Sequence, residues 1–237
     1  MSDHIVTSFD TELKGLAEKL AEMGGLAEKM VGDAVSALIT RDGALAQKVI
    51  ASDKAVDQMQ QRIEEMAILT IARRQPMAVD LRAIVAALRV SNDLERIGDL
   101  AKNTAKRVIA IEGDFKSPKL FGGLNHMSEL VLGQLKAVLD AYAERDNDSA
   151  TDVWQRDGEI DALYTSLFRE LLTYMMEDPR NIGFCTHLLF CAKNIERIGD
   201  HATNIAETVH FLVTGQVLPD ERPKQDDTAM TPIEFRG

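Results

Sequence analysis

Apolar residues recur every three or four positions along most of the chain. Leu13, Leu16, Leu20 and Met23 form one stripe, which continues through Leu26, Met30, Ala34 and Leu38. Val49, Val56, Met59, Ile63, Met66 and Ile71 form a second. Leu81, Ile84, Leu88, Leu94, Ile97, Ala101, Ala105 and Val108 form a third. This is the period of amphipathic helices. Turn signals at Arg41-Asp42-Gly43, Gln75-Pro76 and Ser117-Pro118 separate them and predict helices over 8–40, 43–74 and 77–112. The second half follows the same plan, with stripes through Leu130 and Leu139, Ile160 to Met175, and Leu188 to Val209. Its expected helices are 121–144, 147–177 and 180–213, with Asp178 as a cap and Pro179 in a first turn.

The halves repeat one another. Glu95-Arg96-Ile97-Gly98-Asp99 returns letter for letter as Glu196-Arg197-Ile198-Gly199-Asp200, 101 positions on. Upstream the offset is 104: Arg41-Asp42 matches Arg145-Asp146, and Asp53 and Asp57 match Asp157 and Asp161. The change of offset places an insertion at the Pro76 turn, and loops are where repeats drift. The expected fold is all-α: six long helices in two tandem, similar three-helix bundles, 1–116 and 117–217. A polar, Pro-containing tail, 218–237, is expected to be disordered.

Composition narrows the function. The 237 residues carry 38 Asp+Glu against 27 Lys+Arg, a net charge of -11. That argues against nucleic-acid binding, which needs a basic surface. No apolar run approaches the roughly 18 residues of a membrane span. The opening Met1-Ser2-Asp3-His4 lacks the features of a signal peptide. Cys185 and Cys191 lie about 240° apart on a helix and are expected to be buried thiols. Met175 and Met176 are expected to pack in the core.

The chemistry lies in acidic pairs at spacing four. Each half has two: Asp53/Asp57 with Glu95/Asp99, and Asp157/Asp161 with Glu196/Asp200. Residues i and i+4 are neighbours on one helix edge, so two adjacent helices bring four carboxylates together. Oxygen donors of this kind suit hard or borderline cations such as Mg, Mn or Fe. A solvated acidic face remains the alternative, since 38 of 237 residues are acidic and isolated pairs arise by chance. Asn103 and Asn204 extend the edge by one turn, and Glu207 is nearly eclipsed with Glu196. Gly98 and Gly199 imply close helix approach beside the pairs. Arg96 and Arg197 sit about 100° away, placed for a neighbouring carboxylate or a partner. Glu207 and His210 form a Glu-x-x-His, but carboxylate-bridged di-iron bundles need two such motifs, and the first half has Lys106 and Ile109 there. No catalytic triad, Cys/His nucleophile pair or phosphate loop is present.

The segments Asn92 to Asp99 and Asn194 to Glu207 resemble the two signature segments of the PhoU family, as does the opening His4 to Asp10. The resemblance covers residues 4–215. It implies two three-helix bundles and metal ions (Mg, Mn, Fe or Zn) at Asp53, Asp57, Glu95, Asp99, Asp157, Asp161, Glu196 and Asp200. It further implies a non-enzymatic cytoplasmic regulator, often dimeric, sometimes peripheral at the membrane. Such a regulator couples the ATPase subunit of the phosphate ABC transporter to a sensor histidine kinase and represses the phosphate-starvation response. The readings to be weighed against it are a carboxylate-bridged metalloenzyme or metal-storage bundle, and a purely structural helical protein.

Overall fold

The computed structural model describes residues 2–111 and 118–218, with side chains from 11 to 111 and from 121 to 218. The expected tail beyond residue 218 lies outside the described residues. The first bundle is α1 (Ser2–Thr40), α2 (Gly43–Arg74) and α3 (Ala78–Ala110). The second is α4 (Pro118–Glu144), α5 (Asn147–Gln155), α6 (Asp157–Glu177) and α7 (Ile182–Thr214). A single 3-10 turn, Pro179–Asn181, leads into α7.

The first turn of each half is built twice in the same way. Arg41 and Arg145 take left-handed backbone, φ 57° and 55°. The following amides, Asp42 and Asp146, donate back to Ala37 O at 3.0 Å and Ala141 O at 2.9 Å. This is the six-to-one closure of a Schellman end. Each Asp then caps the next helix: Asp42 accepts from Leu45 N, and Asp146 from Asp148 N and Ser149 N. Asp178 accepts from Arg180 N, so it caps the 3-10 turn and not the long helix itself.

One helix differs from expectation. The span 147–177 is broken at Arg156, φ -93° and ψ 6°. The carbonyl of Arg156 accepts from Gln134 Nε2 at 3.3 Å. The next residues, Asp157 and Gly158, are buried. In the first half, Lys54 stands where Gly158 does, and α2 runs through unbroken.

Buried residues of both halves form one continuous core. It contains the expected stripes, including Leu20, Met23, Leu94, Ile97 and Leu135, each at most 1% exposed. Ile71 and Leu81, expected in stripes, are 36% and 39% exposed. Met176 is 85% exposed, which corrects its reading as a core residue, while Met175 does pack against the core. Cys185 and Cys191 are buried free thiols, as expected, and burial pushes the Cys191 thiol up to about 12.

The bundles join chiefly through α3 and α7, which run antiparallel. Arg89 lies over the Phe211 ring, 4.9 Å from its centroid, and Arg107 over Phe190 at 4.1 Å. Between them, Asp93 Oδ1 accepts from Asn204 Nδ2 at 3.3 Å and meets His201 Nδ1 at 2.8 Å. The α2–α3 and α6–α7 turns therefore sit at opposite ends of helices about 50 Å long.

The glycines of the repeat mark close approach. A Cβ on Gly98 would stand 3.3 Å from Val56 Cγ1, and one on Gly199 would stand 2.7 Å from Ile160 Cδ1. Alanine gains about 1 kcal/mol of helix propensity over glycine, but overpacking costs about 1–3 kcal/mol. Gly98→Ala is therefore expected to be near neutral, and Gly199→Ala to lose about 1 kcal/mol in urea unfolding. A Gly199→Ala protein as stable as the Gly98→Ala protein would show that Ile160 moves without cost.

Candidate metal centre

The acidic pairs of each half come together on adjacent helices. In the first half, α2 supplies Asp53 and Asp57, and α3 supplies Glu95 and Asp99. Lys102 Nζ sits between the two helices, 2.6 Å from Asp53 Oδ2 and 2.5 Å from Asp99 Oδ1. Arg96 approaches Glu95 at 3.4 Å and Asp99 at 3.6 Å, so it holds carboxylates of its own cluster. Burial raises the Glu95 carboxyl above the ordinary range; Asp99, Asp57 and Asp53 add to the rise and Arg96 opposes it. Desolvation opposes the charge on Lys102, yet its hydrogen bonds to Asp53 and Asp99 win and hold the ammonium protonated well beyond the usual lysine range.

In the second half, α6 supplies Asp157 and Asp161, and α7 supplies Glu196 and Asp200. This cluster is deeper: Asp157, Asp161 and Glu196 are 3%, 4% and 4% exposed. Thr203 Oγ1 donates to Asp157 Oδ1 at 2.8 Å. Lys193 Nζ reaches Glu196 Oε1 at 2.8 Å and lies over the Tyr164 ring. Glu196 Oε2 is buried with no hydrogen-bond partner. Burial raises the Glu196 carboxyl, Lys193 lowers it, and Asp200 and Asp161 raise it further.

The remaining candidates face elsewhere. Asn103 is exposed, and Asn204 hydrogen-bonds Asp93 across the α3–α7 interface. Glu207 accepts from Trp154 Nε1 at 3.2 Å, and His210 Nδ1 meets Asn147 Oδ1 at 2.8 Å. The Glu-x-x-His thus ties α7 to α5. Arg197 is exposed. Spacing alone overlooked Lys102 and Thr203. Lys102 lies three positions after Asp99, and the repeat offset pairs it with Thr203, so the contrast was available in the alignment of the halves.

Among the described residues no three His, Cys, Asp or Glu side chains are placed together so that they could hold a metal ion as they stand. The donor chemistry of the second cluster nevertheless fits a hard cation. It is all oxygen, deeply buried, and includes an orphaned carboxylate oxygen at Glu196. Such a cation would gather Asp157, Asp161, Glu196 and Asp200 and supply charge neutralisation. Each cluster already holds one ammonium, Lys102 on Asp53 and Asp99 and Lys193 on Glu196, and each has a buried carboxylate oxygen with no hydrogen-bond partner, Glu95 Oε2 and Glu196 Oε2.

Raised carboxyls make stability depend on pH. The folded Glu196 binds its proton more tightly than the unfolded chain, whose ordinary value is 4.5. The native state then carries more protons, and stability falls as pH rises from about that value through the raised one. With chelator present, Glu196→Gln is expected to flatten the fall in urea midpoint as pH rises above 4.5. An unchanged slope would assign the pH dependence to other groups.

The PhoU domain family model matches residues 20–108 and 124–209, one match per half. The phosphate-specific transport system accessory protein PhoU homolog of Rhizobium meliloti is 62% identical over 226 residues, covering 95% of each chain. The homolog of Caulobacter vibrioides is 53% identical, covering 95% of this chain and 98% of its own. The crystal structure of PhoU from Pseudomonas aeruginosa superposes with TM-score 0.85 at 44% identity, over 88% of this chain and all of that one (100%). That of the phosphate transport system regulatory protein PhoU from Streptococcus pneumoniae gives 0.83 at 29% identity, over 89% and 99%. A duplicated all-α architecture, paired acidic motifs and near full-length identity lead to one assignment: the chain belongs to the PhoU family.

Proposed function

We propose that this chain is a cytoplasmic adaptor of phosphate signalling, without catalysis of its own. It associates with the ATPase subunit of the phosphate ABC transporter and with a sensor histidine kinase, and represses the phosphate-starvation genes when phosphate is plentiful. It acts as a homodimer and carries divalent metal on its acidic motifs. The observation that carries this reading is 62% identity, over 95% of both chains, to a phosphate-specific transport system accessory protein homolog.

The distribution of apolar surface is in keeping with an adaptor. Among the described residues, the exposed large apolar side chains fall toward the two ends of the molecule. Met77 (79% exposed), Ile68 and Val217 mark one end, and Met176 (85% exposed), Leu172 and Ile182 the other. Exposed apolar patches mark interaction sites, and two opposed ends suit a protein that joins two others. Among the described residues no helix is long and apolar enough to cross a membrane.

Deleting the gene tests the proposal. Alkaline phosphatase and transporter transcripts are expected to rise in high-phosphate medium and to return to the basal level on complementation. Unchanged expression in the deletion strain would rule the adaptor reading out.

A further inference from the structure

We infer that the outer face of the α3–α7 seam docks an acidic helix of a partner protein. This rests on the adaptor reading above and adds the surface and the chemistry of one partner.

Two stripes at spacing seven run side by side along the seam. The α3 stripe is Arg82, Arg89, Arg96 and Asn103, and the α7 stripe is Phe190, Arg197, Asn204 and Phe211. Seven residues fall about 20° short of two helical turns, so each stripe keeps to one side of its helix. Arg89, Arg96 and Asn103 stand in the repeat where Phe190, Arg197 and Asn204 do, 101 positions on. Because the helices are antiparallel, Arg89 meets Phe211, and Arg107 meets Phe190. The neighbours of α3 are α1, α2 and α7, and those of α7 are α3, α4, α5 and α6. Among the described residues none covers the outer side of the seam. Arg96 is 54% and Phe190 48% exposed, and Arg89, Asn92, Asn103 and Arg197 are exposed as well.

Charge sets this face apart from a chain whose net charge is -11. The carboxylates nearest the seam are held already: Asp93 by His201 and Asn204, Glu207 by Trp154, and Asp99 by Lys102 and Arg96. Among the described residues no carboxylate pairs with Arg89, Arg107 or Arg197. The basic band is also narrow. The first acidic cluster borders it on the α2 side and the second on the α6 side. Packed helix axes lie about 8–10 Å apart, so the band is matched by one helix, about 10–12 Å across. An anionic bilayer or a nucleic acid laid on it would bring phosphates onto the flanking carboxylates. A helix with Asp or Glu at spacing seven pairs with the arginines, and an apolar residue near each end meets Phe190 or Phe211. At the Phe211 end a recess of about 310 Å³ opens between Arg89, Phe211 and Val217 to receive one of them.

The probe is a fluorescein-labelled helical peptide of about 20 residues, which spans about 30 Å. It carries glutamates along one face and a leucine near each end; its counterpart has glutamine for every glutamate. With the full-length chain, anisotropy is expected to show the glutamate peptide bound about ten-fold more tightly or better, and the preference to fade in about 1 M salt. Arg89→Gln, Arg107→Gln and Arg197→Gln combined should lose about ten-fold or more. The control combination Arg62→Gln, Arg169→Gln and Arg180→Gln, on α2, α6 and the 3-10 turn, should lose nothing. Far-UV circular dichroism checks helicity, and Arg197→Glu alone, at an exposed position, should still lose several-fold if the combination fails to fold. Equal binding of the two peptides, or equal loss in the two combinations, would overturn the inference. So would tighter binding of phosphatidylglycerol vesicles or of a DNA duplex that the seam substitutions abolish, or a dimer that they dissociate. Those results would give the face to a membrane, a nucleic acid or a second copy. In the deletion strain the seam combination is expected to leave the phosphatase derepressed. Full repression by it would overturn the inference and leave the adaptor reading standing. A deletion strain without derepression would overturn that reading, and the peptide measurement would still decide the face.

Discussion

Lys102→Met is expected to lower the unfolding free energy by about 3 kcal/mol at neutral pH in chelator. The methionine keeps most of the stem and removes the charge. Asp53 and Asp99 then face each other without a shared cation, and both, with Asp57, add to the negative field at Glu95. Removing one partner of a buried pair costs about 3–5 kcal/mol. The lower end applies here because Lys102 and Asp99 are 19% and 30% exposed. For a chain of this size the loss corresponds to roughly 6–12 °C in Tm. Adding Asp53→Asn to Lys102→Met should recover part of it, since one of the stranded anions is gone. A double variant no more stable than Lys102→Met would show that the ammonium acts on Asp99 alone.

Leu94→Ala should cost about 2–5 kcal/mol, as should Leu135→Ala, because each empties a fully buried position. The more informative result is where the loss appears. Leu94 lies in the first bundle and Leu135 in the second, yet both belong to one continuous core. Trp154, the single tryptophan, lies in α5 of the second bundle and donates to Glu207 on α7. Its fluorescence reports the second half. If the halves unfold as one unit, Leu94→Ala shifts the Trp154 midpoint as far as the circular dichroism midpoint. A tryptophan midpoint that stays in place while helicity is lost earlier would show two independent units.

Local rules carried much of the fold. The three-to-four spacing of residues such as Leu13, Leu16 and Leu20 depends only on helix geometry and burial, so it is readable without neighbours. The Arg-Asp pairs at 41–42 and 145–146 are local too: one residue closes a helix and the next caps another. The break at Arg156 had one local mark, Gly158 where the first half has Lys54, but the Arg156 carbonyl is taken up by Gln134 on another helix, which periodicity does not give. The exposure of Met176 likewise follows from its place at the end of a bundle, which periodicity does not give. At the candidate site, spacing identified which carboxylates share an edge. It could not assign their counter-charges, because Lys102 is contributed to Asp53 across a helix pair. Glu207 shows the same limit. Its register places it above Glu196, but Trp154 on α5 engages it first.

The antiparallel joining of α3 to α7 has a consequence for how the molecule came to differ from itself. Two like units joined through antiparallel equivalent helices reproduce, within one polypeptide, the arrangement of a two-fold symmetric dimer. In such a dimer each residue is present twice, and a lysine at the position of Lys102 would enter both clusters or neither. Covalent duplication releases the copies from that identity. Asp93 against Asn194, and Lys102 against Thr203, are differences that a symmetric ancestor could not hold.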